Sequence, residues 1–311
     1  MPVIMLKQRT KRGNKMSKRT EIVWYELVFE QLQPIHIGRL KYGVIAETEI
    51  FIPGQTMWGA LTKYYNLYNK ADLNENQNLF SLITCFFPSF DGEKVLAPSY
   101  KNGMLHIGDD IAEEEFRFAY TDTVISTAVS FLSREAVEGS LHEIDVLLPQ
   151  PKNELPEKGI CQKTNLKWVG LVGIEKNDEN LNNFLHQHNF ELHVGGEITY
   201  GFGLVVLKAI KKVDSQLLGD WNLNENGRLF LKDGDNILRN FIQINPDVEM
   251  KWKGNVMPIA EFDFCSNVSK IKEASFYVNV GSSIHIDEEN DLNISEYQLS
   301  KGKFNRKNLF I

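Results

Sequence analysis

The first apolar segment of the chain alternates between hydrophobic and polar positions. Across residues 21–33, bulky apolar side chains recur at every second position from Val23 onwards. This period of two predicts a β-strand that buries one face. The next segment, 55–69, has apolar residues every three to four positions, and Pro53 and Gly54 precede it. That spacing predicts a helix that begins just after the Pro-Gly pair.

Further segments of both kinds follow. The pair Asn102-Gly103 lies inside 94–107 and is among the strongest short signals for a β-hairpin. We predict additional strands and helices from the same patterns, the strands over 116–126, 141–148, 166–175, 190–194 and 204–213, and the helices over 78–87 and 179–188. The resulting order of strand, helix, strands, helix and strand is that of a ferredoxin-like or RRM-like α+β fold. Such a fold offers a sheet on which single-stranded RNA can lie.

The patterning weakens after about residue 214. A hairpin around Asp233-Gly234 and a strand over 276–280 are the clearest signals there. They predict a smaller β-rich region, or a degenerate copy of the ferredoxin-like fold. We therefore expect three parts: a basic, disordered tail over 1–20, a ferredoxin-like domain over 21–213, and a C-terminal region over 214–311.

The segment Gly195–Gly203 reads GGEITYGFG and holds four glycines among nine residues. Glycine loses the most conformational freedom on folding, so this density indicates positive φ angles or close backbone approach. Backbone N–H groups of such a loop can form a concavity that binds an anion. The alternative interpretation is a tight loop that enters a central strand.

Two more segments resemble parts of a known family. The first has two parts, PIHIGR at residues 34–39 and FIPGQTMWGAL at residues 51–61. The second is SREAVEGSLHEID at residues 133–145. With the glycine loop, and in this order, they resemble motifs of the RAMP superfamily, the RNA-binding subunits of CRISPR–Cas effector complexes. The segment at 133–145 resembles type III members in particular.

This resemblance implies a subunit of a type III effector complex in antiviral defence. Its partners would be CRISPR guide RNA, possible target RNA and neighbouring effector subunits, with no cofactor and no metal. The residues that correspond to RNA-binding positions are Gly38, Arg39, Lys41, Gly54, Gln55, Thr56, Arg134, Gly195, Gly196, Tyr200, Gly201 and Gly203. One departure is Glu197, which stands where many relatives have a basic residue between the glycine pairs.

Two catalytic alternatives follow from the same resemblance. His36 as a general base would give a metal-independent endoribonuclease that processes CRISPR repeat RNA. The other interpretation of His36 is a hydrogen-bonded strand end. A metal-dependent backbone subunit that cuts target RNA uses an aspartate in the loop before the Pro-Gly helix. Residues 40–49 contain no aspartate, although Glu47 or Glu49 could hold magnesium. The sequence therefore favours a non-catalytic subunit.

Composition narrows these possibilities only slightly. The 311 residues are 42% apolar and carry a net charge of −7, which argues against a free-standing nucleic-acid binder but permits a local RNA-binding surface. Residues 1–20 are strongly basic and predict an arm on RNA, a solvated tail, or an upstream start before Met16.

Three scattered cysteines and the lack of a long apolar run predict a cytoplasmic protein without a membrane span. A third possibility lies outside the family: an α+β protein with glycine turns and no nucleic-acid role.

Overall fold

The structure is a computed structural model, and it describes residues 21–72, 74–162, 164–176, 178–187, 190–245, 250–263, 270–286 and 296–306. The predicted basic tail, 1–20, lies outside the described residues. The helices are α1 (Gly54–Asn69), α2 (Glu113–Tyr120), α3 (Glu179–Leu185) and α4 (Ser215–Asp220). None of these described helices is long and apolar enough to cross a membrane.

The strands as far as residue 213 are β1 (Ile22–Gln31), β2 (Gly38–Tyr42), β3 (Ile45–Thr48), β4 (Phe87–Ser89), β5 (Pro98–Lys101), β6 (Met104–Ile107), β7 (Ile111–Ala112), β8 (Thr121–Ser126), β9 (His142–Leu147), β10 (Lys167–Glu175), β11 (Glu191–His193) and β12 (Leu204–Lys212). Those that follow are β13 (Gly234–Ile237), β14 (Phe241–Gln243), β15 (Trp252–Lys253), β16 (Val256–Asp263), β17 (Lys270–Val278), β18 (Ser283–Ile286), β19 (Tyr297–Ser300) and β20 (Lys303–Arg306).

The central sheet has the strand order β11-β12-β1-β10-β4, and every neighbouring pair is antiparallel. Along the chain, β1, α1 and β4 form one half of this unit, and β10, α3 and β12 form the other. This is the predicted β-α-β-β-α-β order. The α+β fold class is thereby confirmed.

Strand β1 is buried on both faces, whereas its alternating pattern predicted only one buried face. Phe29, on the predicted apolar face, is fully buried, and Trp24, on the opposite face, is only 3% exposed. The C-terminal region covers Trp24, whose indole N–H donates to the carbonyl oxygen of Glu225 over 2.9 Å. Sequence alternation could not show this cover because it comes from residues far along the chain.

A long insertion separates β4 from β10. It contains the β5-β6-β7 sheet, α2, and the hairpin strands β8 and β9, which join β2 and β3 in a sheet of order β2-β3-β9-β8. The predicted hairpin at Asn102-Gly103 is confirmed: it joins β5 to β6, and both turn residues have positive φ angles.

Two predicted elements in this part of the chain are wrong. Residues 78–87 do not form a helix, because Ile83 and Thr84 bond to β10 instead and the Thr84 N–H donates to Leu171. The predicted strand over 116–126 is helical as far as Tyr120. Its buried side chains recur at helical spacing, and the Glu115 carboxylate accepts a hydrogen bond from the Ala112 N–H at the start of α2.

The C-terminal region is β-rich, as one of the two alternatives predicted. It forms the sheets β13-β18-β15 and β16-β17-β14-β20-β19. The hairpin predicted around Asp233-Gly234 is wrong, because Gly234 begins β13, which pairs with β18, and Arg228 and Leu229 pair with Gln298 and Leu223 instead. The apolar core continues across this part of the chain: Phe87 stacks on Trp221 with ring centroids 5.4 Å apart, and Phe51 contacts Phe241. The division at residue 213 stays a prediction.

Candidate nucleic-acid interface

The glycine loop Gly195–Gly203 lies directly against the segment that contains His36. The Gly196 N–H donates to the carbonyl oxygen of His36 over 2.9 Å, and the Gly203 N–H donates to that of Pro34 over 2.7 Å. Two of the motifs found separately in the sequence therefore form one continuous surface.

Three of the four glycines in this loop differ in what a side chain there would meet. Gly195 has a φ angle of +88°, and a Cβ there would lie 2.2 Å from the carbonyl oxygen of His36. Gly203 has a φ angle of +94°, and a Cβ there would lie 2.5 Å from the carbonyl oxygen of Val194. Gly201 also has a positive φ angle, +83°, but a Cβ there would have no atom within 4 Å. The ends of the loop thus require glycine for close packing, whereas Gly201 lies at an open tip.

Most of the loop faces solvent, because residues 196–201 are exposed. Several of its N–H groups bond within the protein: those of Gly196 and Gly203 to the His36 segment, and those of Tyr200 and Gly201 to the loop itself. These N–H groups are therefore engaged, and an approaching RNA would meet the outer side of the loop.

Tyr200 is the aromatic residue at the tip of this loop. Its side chain is 50% exposed, and its ring stacks on Phe202 with centroids 6.2 Å apart. The hydroxyl lies 3.5 Å from Nε2 of His142 at the start of β9. The ring of Tyr200 thus packs on Phe202 while part of it stays exposed to solvent. A residue on which a nucleobase stacks needs such an exposed ring.

His36 is only 8% exposed. Its Nδ1 lies 2.7 Å from the carbonyl oxygen of Asp145, which can only accept a hydrogen bond. The proton therefore resides on Nδ1. The ring lies between Gly38 and Gly196, each of whose Cβ positions would be less than 4 Å from it. This geometry fits a buried contact that holds β9 and the glycine loop together.

Arg39 forms ion pairs with three carboxylates. Its guanidinium lies 3.0 Å from Glu113, 3.5 Å from Glu47 and 3.7 Å from Glu49. Arg117 of α2 joins the same cluster, at 2.8 Å from Glu113 and 3.7 Å from Glu47. Burial raises the pKa of Glu49, and the nearby arginines oppose that shift. One ion-pair network thus contains Arg39, which was predicted to bind RNA, and the candidate metal ligands Glu47 and Glu49. This network attaches β2 and β3 to α2.

The Pro-Gly start of α1 contacts the far end of the chain. A Cβ on Gly54 would lie 2.5 Å from the α-carbon of Gly302, so the two backbones touch. Next to this contact is a cavity of about 270 Å³ whose lining combines polar, basic and apolar residues: Pro53, Gln55, Thr56, Phe241, Met257, Ile259, Lys301 and Lys303. The structure therefore places the predicted residues Gln55 and Thr56 beside two lysines that the sequence did not indicate.

Both lysines have identified neighbours. Nζ of Lys303 lies 2.6 Å from Glu261, and Nζ of Lys301 lies 4.0 Å from the same carboxylate and 3.8 Å from the centre of the Trp58 ring. The first turn of α1 contains no acidic residue and its start has no side-chain cap. Glu261 offsets one of the two lysine charges, and the other, with the positive end of the helix dipole, makes this cavity electropositive.

Arg134 lies on the connection between β8 and β9, residues 127–141, which we call the β8–β9 hairpin. It is exposed and has a φ angle of +56°. Beside it, Phe131 is 94% exposed and Leu132 is 92% exposed. Lys41 on β2 is also exposed. Phe131 and Leu132 are not among the residues predicted from the sequence, although two bulky apolar residues between Ser130 and Ser133 are a signal of an exposed contact point.

Comparisons with known proteins identify the fold. No protein-family model matches the chain, and neither does any curated protein sequence. Among solved structures, the chain is similar to one in the cryo-EM structure of the type III-B Cmr-beta bound to cognate target RNA and AMPPnP, with a TM-score of 0.55 and 16% identity, over 84% of this chain and 85% of that one. It is also similar to a chain of the type III-B Cmr-beta bound to cognate target RNA, with a TM-score of 0.52 and 16% identity, over 83% of this chain and 86% of that one. The chain therefore shares its fold, over most of its length, with a component of the type III-B Cmr-beta.

Proposed function

We propose that this protein is a non-catalytic RAMP subunit of a type III CRISPR effector complex, which binds guide RNA and neighbouring subunits in the cytoplasm. The observation that carries this proposal is the hydrogen bond between Gly196 and His36. It joins two motifs that resemble RAMP sequences, in a chain that has the fold of a type III-B Cmr-beta component.

The RNA would lie over the exposed side of the glycine loop. Tyr200 offers a ring for base stacking, and Lys41 and Arg134 offer positive charge. The electropositive cavity beside Gln55 and Thr56 is a further contact for the RNA backbone. A local surface of this kind is compatible with the net charge of −7, because the field near an RNA-binding site depends on nearby charges.

The geometry supports a binding role over cleavage. His36 is only 8% exposed, so a ribose 2′-hydroxyl has little access to Nε2, the ring nitrogen that the Nδ1 hydrogen bond leaves as the proton acceptor. Glu47 and Glu49 are paired with arginines, whose positive charge opposes the binding of a divalent cation. We therefore assign neither alternative nuclease activity to this chain.

The exposed apolar tip of the β8–β9 hairpin favours contact with another molecule of the complex. Phe131 and Leu132 project almost fully into solvent. An exposed aromatic and an aliphatic side chain beside Arg134 suit either a base step of bound RNA or an apolar recess of a sibling subunit. Both the RNA and the sibling subunit are components of the proposed effector complex.

Purification of the chain with its genomic neighbours, followed by sequencing and quantification of bound RNA, tests this function. Tyr200→Ala should lower the RNA bound per complex while the melting temperature stays near that of the wild type. The matched control is Tyr68→Ala, since Tyr68 is 61% exposed on α1, where its ring contacts Phe184 of α3. A complex that carries no CRISPR RNA, or an equal loss of RNA in both variants, would contradict the proposal.

A further inference from the structure

The sheet β2-β3-β9-β8 has two faces with different surroundings. Ile144 of β9 is buried and packs with Phe202 of the glycine loop, so its face of the sheet adjoins the proposed RNA surface. We call this the inner face. Side chains alternate between the two faces along a strand, so Glu143 and Asp145, the neighbours of Ile144, project to the opposite, outer face.

Strand register places one row of four residues across the outer face. Ile45 of β3 is paired with Tyr42 on one side and with Glu143 on the other. Glu143 is in turn opposite Ile125 of β8. Directly paired residues share a face of a sheet, so these four form a continuous row, which we call the outer row. Its three apolar members are exposed, by 63% for Tyr42, 38% for Ile45 and 67% for Ile125.

Helix α2 covers the outer face at one end only. Glu47 lies two residues after Ile45 on β3 and therefore on the same face. Its carboxylate lies 3.7 Å from the guanidinium of Arg117 on α2, so the helix packs against this end of the face. The outer row lies beyond that contact, where its apolar side chains are exposed to solvent. It is therefore a sheet surface that this chain itself leaves open.

Glu143 is the charged member of the outer row, and it is partly buried between two isoleucines. In the part of the chain that the structure describes, no basic side chain forms an ion pair with its carboxylate. Lys41 of β2 lies in the row of Ile144 and projects to the inner face. A carboxylate among apolar side chains loses its hydration when a partner covers it, so that partner has to supply a positive charge.

This carboxylate also selects the class of partner. RNA phosphates would be repelled by Glu143 and by Asp145, which lies two residues further on the same face. A second copy of the chain, related by a two-fold axis at the outer row, would bring two Glu143 carboxylates together. The arrangement therefore fits a different protein whose surface combines a basic side chain with apolar neighbours.

We propose that the outer row binds a different protein subunit of the effector complex, which places an arginine or lysine between apolar side chains and against Glu143. The sheet then has RNA at its inner face and protein at its outer face. The exposed ring of Tyr42 and the side chain of Ile125 exclude water around the ion pair at the two ends of the row. This inference rests on the proposed function, because it takes the effector complex as the source of the partner.

Photocrosslinking in the purified complex tests the proposal. The photoreactive residue p-benzoylphenylalanine replaces Ile125, and the full chain is co-expressed with its genomic neighbours. We expect cross-links to one other protein subunit, at a peptide in which an arginine or lysine lies among apolar residues. The same photoreactive residue at Tyr200, on the glycine loop, should cross-link to RNA instead. The two positions thus report separately on the outer row and on the proposed RNA surface.

Variants measure the contribution of the charge. Glu143→Gln should weaken binding of that subunit about tenfold, and Glu143→Lys should remove the subunit from the complex, as native mass spectrometry over a dilution series would show. The matched control is Glu191→Lys, which makes the same change of charge at an exposed position on β11 of the central sheet and should leave the complex intact. Ile125→Ser gives an independent measurement, because Ile125 is mostly exposed and its loss should not alter the melting temperature. A glutamate in place of the partner's cross-linked basic residue should restore assembly with Glu143→Lys.

Three results would overturn the proposal: cross-links from position 125 to RNA, to a second copy of this chain or to no protein at all; a full set of subunits with Glu143→Lys; or equal effects of Glu143→Lys and Glu191→Lys. A complex without CRISPR RNA would instead contradict the proposed function. Failure of this inference is therefore distinguishable from failure of the proposed function.

Discussion

The backbones of Gly54 and Gly302 touch: a Cβ built on Gly54 would lie 2.5 Å from the α-carbon of Gly302. This contact joins the start of α1 to the turn between β19 and β20, and it orders the wall of the electropositive cavity that contains Lys301 and Lys303. Glycine at position 54 is therefore required by tertiary packing.

Gly54→Ala should destabilise the protein by about 1–3 kcal/mol, because the added methyl group meets backbone atoms that cannot move aside. Gly59→Ala is the matched control in the same helix, where a Cβ would have no atom within 4 Å. Alanine favours a helix interior, so this control should gain up to about 1 kcal/mol. Denaturant unfolding of both variants measures the difference, and similar free energies of unfolding would contradict the packing argument.

Within the glycine loop, Gly195→Ala should be much more harmful than Gly201→Ala. Both positions have a positive φ angle, which costs a non-glycine residue about 1–2 kcal/mol. Only Gly195 adds a clash with the carbonyl oxygen of His36, at 2.2 Å. Thermal melts should show the larger loss for Gly195→Ala. Equal melting temperatures would mean that the loop and the His36 segment separate at little cost.

The purified chain should not cleave CRISPR repeat RNA in EDTA, nor target RNA with magnesium or manganese. The reasons are the burial of His36 and the pairing of Glu49 with Arg39. Labelled RNA resolved on a denaturing gel gives the measurement. Specific cleavage that His36→Ala abolishes in EDTA, or that Glu49→Gln abolishes with metal, would refute the non-catalytic role.

Glu26→Gln should raise the melting temperature at neutral pH. Glu26 lies in β1 and is only 8% exposed, and burial raises its pKa above the ordinary value of 4.5, although Lys211 opposes this. A raised pKa means that the folded state disfavours the charged carboxylate, so the wild type gains stability as the pH falls through that pKa and the carboxyl is protonated. The advantage of the glutamine variant should therefore shrink as the pH is lowered towards 4.5.

Glu30→Gln is the control for that measurement. Glu30 lies on the same strand and forms an ion pair with Lys208 at 2.8 Å, but both side chains are partly exposed to solvent. Exposed pairs contribute little, so its substitution should change the melting temperature only slightly. If Glu30→Gln raised the melting temperature at neutral pH as much as Glu26→Gln, burial of Glu26 would not be the cause of the stabilisation.

The sequence alone determined those features that depend on neighbouring residues. The helix after Pro53-Gly54 and the hairpin at Asn102-Gly103 follow from local backbone preferences, and both are present. The β-α-β-β-α-β order follows from local periodicity along the chain. The residues of the glycine loop likewise indicated tight backbone geometry before any partner was known, because positive φ angles are a property of the loop itself.

Only the tertiary structure decided which partners these elements meet. Within 78–87, Ile83 and Thr84 bond to β10 instead of forming a helix. Strand β1 is buried on both faces because Glu225 and its neighbours cover Trp24. Arg39 forms ion pairs with Glu113, and Gln55 lies beside Lys301, through contacts between distant parts of the chain. Such long-range contacts depend on how separate elements pack together, and the spacing of residues along the chain does not determine that packing.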